Sequence, residues 1–145
     1  MKVLVIDDHL AKEYSREVLG ASYDKICFLE DFSDKDIEYS FCTAETEEDS
    51  NCYSVEVVET YLKSESKPDA ILLDYMFSDQ YLGLEILKFL KEEHPEICVI
   101  MHTSNREVLD EAVRMGASAS IGKCSLRPKA FISRIKEIYN NSTTK

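Results

Sequence analysis

The stretch Lys2-Val3-Leu4-Val5-Ile6-Asp7-Asp8 is a short run rich in Val, Leu and Ile that stops abruptly at two carboxylates. It is too short for a buried helix and too uniformly apolar for a strand with one wet face, so it reads as a strand covered on both sides. Three further runs share this character: Ala70–Leu73, Ile97–Met101 and Ala119–Ile121. Between them the period changes to that of a helix. Leu84, Ile86, Leu87 and Leu90 stripe 83–93, with Pro95 as a stop. Val108, Leu109, Ala112, Val113 and Met115 stripe 106–115, which Gly116 ends. A last helix starts near Pro128, a good first-turn residue, and turns Phe131, Ile132, Ile135, Ile138 and Tyr139 inward. Strands alternating with helices predict an α/β domain, a doubly wound parallel sheet with helices on both faces.

The segment from 9 to 62 is less regular. An amphipathic helix is expected at 9–19 (Leu10, Tyr14, Val18), a strand at Ile37–Thr43, and a helix at Ser54–Leu62 with Val55, Val58, Tyr61 and Leu62 inward. Surplus chain is expected near 21–36 and in the acidic stretch 45–52. The domain is taken as 1–140, with 141–145 as a polar, frayed tail.

The chain has 145 residues and a net charge of −11, one domain's length with no basic surplus for a phosphate backbone, so direct nucleic-acid binding is not expected. No apolar stretch approaches the roughly 20 residues of a membrane span, and the acids at 7 and 8 come too early for a secretory signal. Five cysteines without a CxxC pair, and Cys42, Cys98 and Cys124 in or beside apolar runs, predict reduced thiols and a cytoplasmic chain.

Five polar residues fall at strand ends: Asp7 and Asp8 after the first strand, Asp74 after Ala70–Leu73, Thr103 after Ile97–His102, and Lys123 after the last strand. In an open parallel sheet, ligands bind outside the carboxyl ends of the strands. Carboxylates brought together there repel one another and call for a cation; oxygen ligands of this kind suit Mg²⁺, while an ammonium and a hydroxyl supply donors for a tetrahedral anion. Each residue also has a plainer reading. Asp8 is a good N-cap for the helix after it, Asp74 an ordinary loop start, Thr103 a cap for the helix near Asn105, and Lys123 a surface lysine.

Together these residues resemble the receiver domain of two-component response regulators. The opening strand with Asp7-Asp8 is similar to that family's acid pair. Pro68-Asp69-Ala-Ile-Leu-Leu-Asp74 resembles the strand bearing its phosphoacceptor, and Gly83-Leu-Glu-Ile-Leu the start of its third helix. Val-Ile-Met-His-Thr103-Ser104 resembles the strand that ends in its switch hydroxyl, and Gly116-Ala117-Ser118 with Lys123 its last strand and lysine. The resemblance covers essentially the whole chain and implies a flavodoxin-like, five-stranded sheet of order 2-1-3-4-5. It implies a signalling switch rather than an enzyme: Asp74 accepts a phosphoryl group from a sensor histidine kinase or phosphotransfer protein. It also implies Mg²⁺ on Asp8, Asp74 and the Met76 main-chain carbonyl, with Asp7 reaching it through water. Lys123 and the metal offset charge on the transferred oxygens, and Thr103 bonds the acyl phosphate. The switch set is Thr103, Ser104 and Ser120, the output a downstream protein target, and 105–139 a surface for a homodimer.

The sequence departs from the family at Ser120, where an aromatic residue is usual, at Cys124, where a proline usually follows the lysine, and at Ser78, another usual proline. Two other readings fit the fold. A pseudo-receiver would act as a binding module without phosphate. An Mg²⁺-dependent aspartyl phosphatase would place a second acid two residues after the nucleophile, where this chain has Met76.

Overall fold

The computed structural model describes residues 1–7, 25–42, 55–75, 82–123 and 125–143. Five strands, β1 (Lys2–Ile6), β2 (Glu38–Phe41), β3 (Ala70–Leu73), β4 (Cys98–Thr103) and β5 (Ala119–Gly122), form one sheet of order β2-β1-β3-β4-β5. Every pairing is parallel, so the sheet is the doubly wound one expected. The described helices are α1 (Lys25–Phe32), α2 (Val55–Ser64), α3 (Gly83–Glu93), α4 (Arg106–Arg114) and α5 (Pro128–Thr143). The expected helix at 9–19, the acidic stretch at 45–52 and residues Asp8, Met76, Ser78 and Cys124 lie outside the described residues.

The continuous apolar runs of β1, β3 and β4 follow from burial on both faces. Leu4, Ile6, Ile71, Leu73, Val99 and Met101 face Val58 of α2, Ile86, Leu87 and Leu90 of α3, and Ala112 of α4. Val3, Val5, Leu72, Cys98 and Ile100 face Phe28 of α1 and Phe131, Ile135 and Ile138 of α5. Cys42 and Cys98 are buried, and burial pushes the Cys42 thiol up to about 12, so it acts as a small hydrophobe. Gly116 closes α4 at φ 107°, a left-handed conformation that only glycine adopts without strain.

Part of the 21–36 stretch, expected as an insertion, forms the helix α1, and its Phe28 is 1% exposed. Phe28 sits among Phe32, Tyr39, Phe41 and Phe131, with ring centroids 4.9 to 6.4 Å apart. The tail expected to fray from 141 instead continues α5 to Thr143. There the Ser142 and Thr143 hydroxyls donate to the Tyr139 carbonyl at 2.8 and 3.2 Å, supplying partners at the helix end that polarity alone does not reveal.

Candidate functional site

The carboxyl ends of β1, β3, β4 and β5 are tied together by main-chain hydrogen bonds. The Asp74 N–H donates to the Ile6 carbonyl at 2.9 Å, and the Lys123 N–H to the Thr103 carbonyl at 3.0 Å. Residues 7, 74, 103 and 123 therefore open onto one rim, as parallel strands in register require.

Asp7 and Asp74 are 2% and 5% exposed. Between them stands Lys123, whose Nζ lies 2.8 Å from Asp7 Oδ2 and 2.9 Å from Asp74 Oδ2. Asp74 Oδ1 accepts from the Tyr75 N–H at 2.7 Å, which fixes the carboxylate plane. Burial, and then the charge of Asp7, push the Asp74 carboxyl up to about 6, against the opposing pull of Lys123 and the Tyr75 N–H. Asp74 is thus mostly ionised at neutral pH but under strain as an anion. Burial works against the Lys123 ammonium, yet the two carboxylates outweigh it and hold it above its ordinary range.

Thr103 is buried, and its Oγ1 accepts from the Asn105 N–H at 3.3 Å. The capping role open to Thr103 falls to Asn105, whose side chain accepts from the Glu107 N–H at the start of α4. Ser104 is exposed. Ser120 is half-buried in β5, in register with Met101 rather than with the strand ends, so it stands back from the rim. The structure brings Asp7, Asp74 and Lys123 into contact, with Thr103 on the neighbouring strand end, and leaves Ser104 outside the cluster.

The pair of carboxylates is an all-oxygen donor set of the kind a small hard dication takes, and an anion raised to about 6 gains from a second cation. That chemistry fits Mg²⁺. Among the described residues no group of three or more His, Cys, Asp or Glu is placed to hold a metal; Asp8 and Met76, also expected as ligands, lie outside the described residues.

Two supports of the site escaped the sequence reading of individual side chains. Gly83, at the start of α3, donates its N–H to the Tyr75 carbonyl at 2.8 Å, and a Cβ there would collide with the Asp74 carbonyl and Tyr75 Cα. Its signal was the glycine heading an otherwise apolar helix face. His102 lies behind the rim, 5% exposed, its ring 5.2 Å from that of Phe131. Burial, and then the charge of Lys123, bring it down to about 4, so it is neutral. A histidine inside an apolar strand carries no signal of its own.

No family model matches the sequence, and no curated protein does. Solved structures do match. The receiver domain of NtrX from Brucella abortus superposes with a TM-score of 0.65 at 22% identity, over 95% of this chain and 98% of that one. The receiver domain of Francisella response regulator 1452 gives 0.62 at 18% identity, over 97% and 98%. Brucella abortus NtrX in complex with ATP gives 0.66 at 22%, over 99% of this chain; the present chain spans 28% of that longer one. Among the described residues no helix is long and apolar enough to cross a membrane. With the strand order, the parallel pairing and these superpositions, the chain has the receiver-domain fold of the two-component response regulators.

Proposed function

We propose that this protein is a phosphorylatable receiver, a signalling switch in which Asp74 takes a phosphoryl group from a phosphohistidine on a sensor kinase or phosphotransfer protein. One observation carries the reading: two buried carboxylates share one lysine at the carboxyl rim of a parallel sheet. A carboxylate oxygen of Asp74 attacks phosphorus as the donor's P–N bond breaks, the electron pair staying on the departing imidazole. Asp7 and Asp74, with Asp8 and the Met76 carbonyl, would hold Mg²⁺, which when bound neutralises charge on the phosphoryl oxygens. Lys123 donates to a transferred oxygen in place of one of its present carboxylate contacts. Thr103, whose Oγ1 now accepts from the Asn105 N–H, donates its hydroxyl hydrogen to the acyl phosphate, drawing the 103–105 loop toward the rim and biasing a surface that a downstream protein reads. Turnover of small substrates is not part of this role, and the protein works in the cytoplasm.

The test is incubation with Mg²⁺ and acetyl phosphate, followed by intact mass measurement. One phosphoryl increment is expected in the wild type and none in Asp74→Asn. A wild type that stays unmodified refutes the proposal in favour of a phosphate-independent module. Sustained release of inorganic phosphate from small esters refutes it in favour of a phosphatase.

A further inference from the structure

β4 ends in two neighbouring side chains that serve opposite faces of the sheet. By strand alternation Thr103 continues the Val99 and Met101 side, toward α2, α3 and α4. His102 points the other way, onto Phe131 of α5. From Phe131 the rings continue without a gap. Phe32 of α1 lies 4.4 Å from Phe131, and Phe28 lies 4.9 Å from Phe32 and 5.1 Å from Tyr39. On the α4 side the corresponding residue of β5 is Ser120, which offers no ring to be moved.

A peptide unit is planar, so a displacement of Thr103 that reorients the 102–103 peptide also moves His102. A ring packed at near-crystalline density cannot move without displacing its neighbours. We infer that His102 is a positioning residue that transmits the movement of Thr103 to the Phe131–Phe32–Phe28 ring cluster, so that occupancy at Asp74 is read on the α1–α5 face. The inference rests on the reading of Asp74 as phosphoacceptor. The coupling is mechanical rather than a change of charge, since burial keeps the His102 ring neutral.

The test uses Mg²⁺ with beryllofluoride as the phosphoryl mimic. Bound fluoride is followed by ¹⁹F NMR, and the ring signals of His102, Phe131, Phe32 and Phe28 by aromatic ¹³C–¹H spectra. Bound fluoride resonances and displaced ring signals are expected in the wild type. In His102→Leu the fluoride resonances should persist while the displacements at Phe131 and Phe32 fall below half. His102→Phe, which keeps a ring against Phe131, should restore them. Bound fluoride with unmoved rings in the wild type, undiminished displacements in His102→Leu, or no restoration in His102→Phe overturns the inference and leaves the Asp74 reading standing. Absence of bound fluoride in the wild type overturns both.

Discussion

Replacing Asp74 should make the metal-free protein more stable, and the gain should depend on pH. The Asp74 carboxyl stands at about 6 in the fold against an ordinary 3.8, because burial and the neighbouring Asp7 charge penalise its anion. An acid whose folded value is raised contributes stability that is fully present below about 4 and is lost as pH rises through about 6. Two units at ~1.4 kcal/mol each amount to ~3 kcal/mol of stability forfeited at neutral pH. Asp74→Asn removes the charge and keeps an oxygen to accept the Tyr75 N–H, so it should exceed the wild type by up to ~3 kcal/mol above pH 7, a rise in Tm of roughly 10 °C. The advantage should shrink toward zero by about pH 4, where the wild-type carboxyl is protonated in both states. Urea unfolding of both proteins in a chelator, across that pH range, measures it. Millimolar Mg²⁺ should then narrow the neutral-pH gap by binding the wild-type carboxylates. A gap that stays flat with pH, or a variant less stable than the wild type above pH 7, refutes the account of a carboxylate held under charge strain.

Two further substitutions probe the frame around the site. Gly83→Ala sets a methyl group against the Asp74 carbonyl and the Tyr75 Cα, backbone that cannot swing aside, so urea unfolding should show a loss of about 1–3 kcal/mol and phosphorylation of Asp74 should slow; an unchanged midpoint disproves the close approach. Phe28→Ala empties the centre of the ring cluster and should cost ~3–5 kcal/mol in the same assay, whereas a loss below about 1 kcal/mol would show that α1 is not part of the core.

The sheet was legible because its signal is local. Strands β1, β3 and β4 are buried on both faces, and that burial writes itself as the uninterrupted runs 2–6, 70–73 and 97–101. Once those runs are parallel, the residues that end them must share a rim, which is why Asp7, Asp74, Thr103 and Lys123 could be named from spacing alone. Helix α1 was not legible in the same way. Its apolar residues are mixed with Glu30 and Asp31 and carry no clean stripe; Phe28 becomes core only because Phe131, more than a hundred residues on, packs against it.

The sequence by itself determined the order of strands and helices, the acids at the strand ends and the absence of a ring at Ser120, since each depends on residues near in the chain. Only the tertiary structure decided that Lys123 bridges Asp7 and Asp74, that burial and the Asp7 charge raise Asp74, and that His102 turns away from the rim onto Phe131. Those facts depend on distances between strands and on exclusion of water, which arise when separate segments pack together and have no counterpart in local sequence.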